Sequence, residues 1–138
     1  MKAYVDTSVL LRVVLGEPGI LPEWRLIDVA MASELVRVEA LRTIDRARIQ
    51  LQLPDEEVAS RREGVFAILG ACHIARVDEA VLERAAEPFP TLVRTLDAIH
   101  LATALSIRTD HEDLVFATHD RQLATAARSV GFKVLGLG

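Results

Sequence analysis

Cysteine, lysine and aromatic side chains are all scarce in this chain: Cys72 is the only cysteine, Lys2 and Lys133 the only lysines, and six aromatics are spread over 138 residues. A lone thiol forms no internal disulfide and builds no thiolate-rich zinc cage, and it fits a reducing compartment, read here as the cytoplasm. Long apolar runs are also missing. The longest charge-free stretch, Gly64 to Ala75, is too short to cross a bilayer, and Asp6 and Arg12 interrupt the apolar N-terminus, so neither a membrane anchor nor a signal peptide is expected. Basic charge is in deficit: 16 Lys and Arg stand against 20 Asp and Glu, net −4, which disfavours partners drawn to a generally positive surface. That balance turns neutral once four acids are set aside in one site, so the placement of the acids matters most.

What is present is a core: 51% of residues are hydrophobic and 26% charged, enough for one domain over residues 1–138. Lys2 to Val5 reads as a strand, and Asp6-Thr7-Ser8 leads from it into a helix striped by Leu10, Leu11, Val13 and Val14 and stopped by Gly16-Glu17-Pro18-Gly19. Pro22 falls in the following loop or opens a short helix. Ile27 to Ala32 is a second strand candidate. From Ser33 onward Leu35, Val38, Leu41, Ile44 and Ala47 predict a helix to Leu51, and Asp55 caps another over Glu56 to Leu69. A third strand over His73 to Val77 precedes a helix over Glu79 to Ala86. After Pro88-Phe89-Pro90, Thr95 caps an apolar helix from Leu96 to about Ile107. Leu114 to Thr118 is the clearest strand, Asp120 opens a helix through Ser129, Gly131 stops it, and Lys133 to Leu135 is the last strand. Strands alternating with helices imply an α/β fold with a central parallel sheet of four to five strands and helices on both faces.

In such a sheet ligands bind beyond the carboxyl ends of the strands, where strand order reverses. Asp6 follows the first strand, and Asp120 follows Leu114 to Thr118 by two residues, with the Thr118 hydroxyl beside it. Glu39 lies two turns past the second strand, and Asp97 sits in the first turn of its helix. Gathered in one cavity, these four would repel one another until a hard divalent cation such as Mg²⁺ or Mn²⁺ bound among them. Each also has an ordinary explanation. Asp6 and Asp120 serve as helix caps, Asp97 suits the positive end of its helix, and Glu39 pairs with Arg42 on a solvated face. His100 is expected to be a hydrogen-bonded core histidine or an outer partner of a ligand, His119 to be exposed, and Cys72 to be buried packing. Arg37, Arg42, Arg46, Arg48, Arg61 and Arg62 either rim a phosphate site or coat solvated helices.

Asp6-Thr7-Ser8, Ser33 with Val38-Glu39, the block Leu96-Asp97-Ala98-Ile99-His100-Leu101-Ala102-Thr103-Ala104, and Thr118-His119-Asp120-Arg121-Gln122-Leu123-Ala124 together resemble the PIN-domain ribonucleases, and within them VapC-like toxins. The resemblance runs through essentially the whole chain. It implies a PIN-like three-layer sandwich and a Mg²⁺ or Mn²⁺ site that cuts RNA, held by Asp6, Glu39, Asp97 and Asp120, with Ser8 and Thr118 as supporting hydroxyls. It also implies a homodimer and a cognate antitoxin packed across the helices near the site. The ligand set then predicts in-line hydrolysis leaving a 5′ phosphate and a 3′ hydroxyl. With so few aromatics, shape and backbone contacts are the expected readers of RNA rather than stacking. Two other classes compete. A noncatalytic PIN-like scaffold would keep its acids for structure, and a receiver-like signalling module would need a phospho-acceptor Asp after the third strand, where Asp78 stands, and a lysine following the penultimate strand, which neither Lys2 nor Lys133 does.

Overall fold

The computed structural model describes residues 1–16 and 18–137. Five strands, β1 (Lys2–Val5), β2 (Val29–Ser33), β3 (His73–Ala75), β4 (Val115–Ala117) and β5 (Val134–Leu135), form one wholly parallel sheet in the order β3-β2-β1-β4-β5. Six α-helices connect them: α1 (Thr7–Leu15), α2 (Leu35–Leu51), α3 (Asp55–Ala71), α4 (Glu79–Ala86), α5 (Thr95–Arg108) and α6 (Arg121–Ser129). Pro22–Leu26 makes a short 3-10 helix with Pro22 at its start.

Alternation along β1 sends its side chains to two cores. Tyr4 joins Met31 and Phe116 under Leu101 of α5 and Leu123 of α6, whereas Ala3 and Val5 join Val9, Leu10 and Val36 under α1 and α2. Each face of the sheet is thereby covered, giving the three-layer sandwich with a parallel sheet that the sequence predicts. The chain builds β1, β2 and β3 in one direction and then crosses to β4 and β5 on the other side. The order reverses between β1 and β4, so the crevice at their carboxyl ends is the place where this architecture holds ligands.

Several local expectations need correction. Val38 is 60% exposed, and the buried residues of α2 are Val36, Ala40 and Ile44, spaced four apart; of the stripe expected at every third residue, Ile44 is buried and Leu41 packs beside it, whereas Val38 falls on the solvent side, because a spacing of three drifts around a helix of 3.6 residues per turn. Because α2 starts at Leu35, Glu39 is its fifth residue, one turn in rather than two. Asp55 and Thr95 are first helical residues, not caps: Pro54 and Arg94 hold the cap positions without a side-chain cap bond. β3 ends at Ala75, two residues short of the expected Val77, because its partner β2 ends its register at Ser33. Gly16 closes α1 in the left-handed conformation, a position suited to glycine. Glu17 of the predicted stop, and Gly138 of the predicted domain range, lie outside the described residues.

Candidate active site

β1 delivers Asp6 to the switch point, and an extended backbone there makes Asp6 the cap of α1. Its Oδ1 accepts from Val9 N at 3.2 Å and from Ser8 Oγ at 2.6 Å, and its Oδ2 accepts from Thr118 Oγ1 at 2.5 Å. Thr118 directly follows the neighbouring strand β4, fully buried, and its hydroxyl also accepts from Asp120 N at 3.0 Å. Ser8 Oγ in turn accepts from His119 N at 3.1 Å. Two strand ends 112 residues apart in sequence are thus stitched by side-chain hydroxyls around one carboxylate. Asp120 caps α6 through Oδ1, which accepts from Leu123 N at 2.9 Å.

Glu39 enters from α2. Its Oε1 accepts from Thr7 Oγ1 at 3.0 Å and from His100 Nε2 at 2.6 Å, and the buried His100 ring meets the Tyr4 hydroxyl through Nδ1 at 2.6 Å. Because the carboxylate only accepts, Nε2 carries the proton, and in the neutral ring Nδ1 accepts from Tyr4. His100 is therefore the hydrogen-bonded core histidine expected from its apolar helix, and it orients Glu39. Arg42 does not partner Glu39 but turns to Asp45. Asp97, in the first turn of α5, and Asp120 share one cation: Arg94 Nε lies 3.8 Å from Asp97 and its Nη2 3.5 Å from Asp120.

These links bring all four acids to one edge. Glu39 is tied to the residue after Asp6, Asp6 to Thr118 beside Asp120, and Asp120 to Asp97 through Arg94. Their electrostatics reflect the crowding. Burial pushes Asp6 above the usual carboxylate range, against the hydroxyls that pull it down. Burial and then the charge of Asp120 raise Asp97, with Asp6 adding to the effect and His100 and Arg94 opposing it. Burial also acts upward on Glu39, but the His100 bond and charge with the Thr7 hydroxyl outweigh it and hold the carboxyl low. Tyr4 is raised by burial and by the charges of Asp6 and Glu39.

No three His, Cys, Asp or Glu side chains among the described residues form a ready metal cage. The bonded oxygens of Asp6 and Glu39 face hydroxyl and imidazole donors, and the two outer aspartates lean on Arg94. The donor chemistry nonetheless fits a hard dication: the set is all oxygen, each carboxylate keeps unused lone pairs, and Asp97 carries repulsion that a cation would relieve. Three participants escaped the sequence reading. Thr7 and Tyr4 gave no signal beyond their places in β1 and the following turn, whereas Arg94, three residues before Asp97, was visible as a helical ion-pair spacing. His119 is half-buried rather than exposed, because its Nδ1 donates to Gly136 O at 2.8 Å. Cys72 is half-buried at the edge of the α1-side core, and burial raises its thiol.

A family model of the PIN domain matches residues 3–129. The chain belongs to the PIN-domain family. Two relatives from Mycobacterium tuberculosis, Ribonuclease VapC46 and Ribonuclease VapC47, are each 32% identical to it. The first aligns over 96% of this chain and 95% of its own length, the second over 94% and 92%. The chain is thus a PIN-domain ribonuclease of the VapC kind. Among solved structures, VapBC2 from Rickettsia felis, determined bound to a DNA fragment from their promoter, shares its fold with a TM-score of 0.66 at 10% identity, covering 98% of this chain and 99% of that one. PIN-domain ribonucleases of this group generally depend on a divalent metal. Among the described residues, no helix is long and apolar enough to cross a membrane.

Proposed function

We propose that residues 1–138 act as one PIN domain, the toxin ribonuclease of a toxin–antitoxin pair, which hydrolyses RNA phosphodiester bonds in the cytoplasm with Mg²⁺ or Mn²⁺. Asp6, Glu39, Asp97 and Asp120 are the carboxylates that would hold the ion, and Ser8 and Thr118 support Asp6. The observation that carries this reading is the Asp6–Thr118–Asp120 linkage at the strand switch point, together with the burial and the neighbouring Asp120 charge that raise Asp97. When bound, a divalent ion supplies Lewis acidity and neutralises charge on the phosphate. The chain's own groups do the rest. Thr118 and Ser8 lock Asp6, His100 and Thr7 lock Glu39, and Arg94 balances the two outer aspartates. Without the ion these carboxylates repel a phosphate, so RNA binding depends on the metal. In the net reaction water adds to phosphorus, the P–O3′ bond breaks and the 3′ oxygen takes up a proton, leaving a 5′ phosphate and a 3′ hydroxyl.

A cognate antitoxin and a second copy of the chain are the protein partners of this reading. Exposed Val38, Ile74, Leu82, Leu92 and Leu96 are apolar side chains that such partners would cover. Incubating the purified chain with total RNA and mapping the new ends tests the reading. Cleavage should stop with chelator, return with Mg²⁺ or Mn²⁺, and yield 5′-phosphate ends. Cleavage that persists in chelator would remove the metal role, and its absence under all conditions would leave a binding scaffold.

A further inference from the structure

Arg94 stands apart from the other arginines of the chain. Arg42, Arg48 and Arg61 pair with acids of their own helices, whereas Arg94 is, among the described residues, the one lysine or arginine whose ion pairs reach the carboxylate rim. It spans two of the four acids, Asp97 in the first turn of α5 and Asp120 at the cap of α6. Both contacts are loose. At 3.8 and 3.5 Å they are longer than the 2.9 Å between Arg61 and Glu57, and the Arg94 side chain is 71% exposed against 20% for Asp97 and 33% for Asp120. Asp97 stays above the usual carboxylate range with the guanidinium beside it, so the pairing leaves the site incompletely neutralised.

The helix does not need this side chain. Arg94 holds the cap position of α5 through its backbone alone: its carbonyl accepts from Ala98 N at 2.8 Å, and its side chain makes no cap bond. A long, mostly exposed side chain resting loosely on two acids is free to change partners, and two demands of the site ask it to. A divalent ion and a guanidinium compete for the same carboxylate oxygens and repel each other as like charges. Four carboxylates against one dication also leave the rim negative, so an RNA phosphate needs a further cation beside it. A guanidinium meets that need, because its planar fork of donors matches the two nonbridging oxygens of a phosphodiester.

We propose that Arg94 exchanges partners: it rests on Asp97 and Asp120 in the metal-free chain, yields them to the divalent ion, and then holds a phosphate of the RNA strand being cut. This rests on the metal-dependent ribonuclease reading and adds to it a substrate-binding residue and an order of events, ion before RNA. The neutral variants Arg94→Ala and Arg94→Gln test it through two binding measurements that need no cleavage, with circular dichroism to check each fold and the longer Gln stem as a second variant should Ala misfold. In calorimetry without RNA, both should bind Mn²⁺ about three- to tenfold more tightly than the wild type, because no resident cation has to leave. In fluorescence anisotropy with a random-sequence oligoribonucleotide of about twenty nucleotides and Ca²⁺ as the hard dication, both should bind RNA about tenfold more weakly. The slope of log K against log salt should fall by about 0.7, the share of one phosphate contact on a single strand, and Arg94→Lys, which keeps the charge, should keep the wild-type slope. Tighter metal together with weaker RNA is the signature, since an arginine that only neutralised the aspartates would move the metal alone. Unchanged or weaker Mn²⁺ binding by the neutral variants overturns the proposal, and so does an RNA affinity and salt slope equal to those of the wild type. Either of those results in a chain that still cuts RNA leaves the ribonuclease reading in place, whereas the two opposite shifts in a chain that cuts no RNA keep the exchange and remove that reading.

Discussion

The carboxyl-edge rim and the α2–α3 hairpin are both rich in charge, and they spend it differently. On the hairpin, Arg42 and Arg48 both pair with Asp45, and Arg61 pairs with Glu57, all at i,i+3 or i,i+4 spacing on solvated faces. Arg37 and Arg62 lie over the Phe66 ring rather than around a shared cavity. Such pairs contribute about 0.3–0.5 kcal/mol each and are screened by salt. At the rim the partners are 32, 61, 96 and 112 residues apart, largely buried, and bound through hydroxyls and imidazole. Charges that satisfy their neighbours locally support a helix; charges held against their own repulsion by distant residues are ready for a ligand.

The largest expected effect separates the two regions by activity. Asp97→Asn should reduce metal-dependent cleavage by about 10²–10³-fold while the chain stays folded, read by RNA cleavage alongside circular dichroism. A variant that cuts normally would place Asp97 with the hairpin residues, as a structural charge. Next, Asp6→Ala removes the cap bond to Val9 and leaves the Ser8 and Thr118 hydroxyls without their acceptor. It should cost about 2 kcal/mol in denaturant unfolding.

A smaller effect has the opposite sign. Burial and Asp120 raise Asp97, so its protonated form favours folding at low pH, and that contribution is lost as pH rises through the folded-state pKa. Asp97→Asn removes this cost, and the variant should melt a few degrees above the wild type at neutral pH, with the gap closing toward acid. Glu39 runs the other way. Held low by His100 and Thr7, it stabilises above its unfolded pKa and loses that contribution as pH falls through its folded pKa. The smallest effect lies on the hairpin: Asp45→Ala should change stability by about 0.5 kcal/mol or less, and less still in high salt.

Much of this was legible along the chain. All five strands and six helices fall where alternation, helical spacing and the Gly and Pro breaks put them, with ends off by a few residues. Val38 of α2 was misread because Val36 and Val38 are equally apolar, and only packing against α1 and α3 separates them. His119 escaped because its partner, Gly136 O, lies across the sheet end. Arg94 was in view but had no reason to be singled out until Asp97 and Asp120 stood on either side of it.

Local residue order determined the alternation of strand and helix, the acids that follow β1 and β4, and the caps at Asp6, Asp78 and Asp120, because these depend on contacts within a few residues. Tertiary structure alone decided which charges are spent and which are held in reserve. Glu39 could equally have paired along its own helix, and it bonds instead to Thr7 and His100 because β1, α2 and α5 meet at one sheet edge. Burial there lowers the dielectric and turns spacing into energy, a quantity that no stretch of sequence carries by itself.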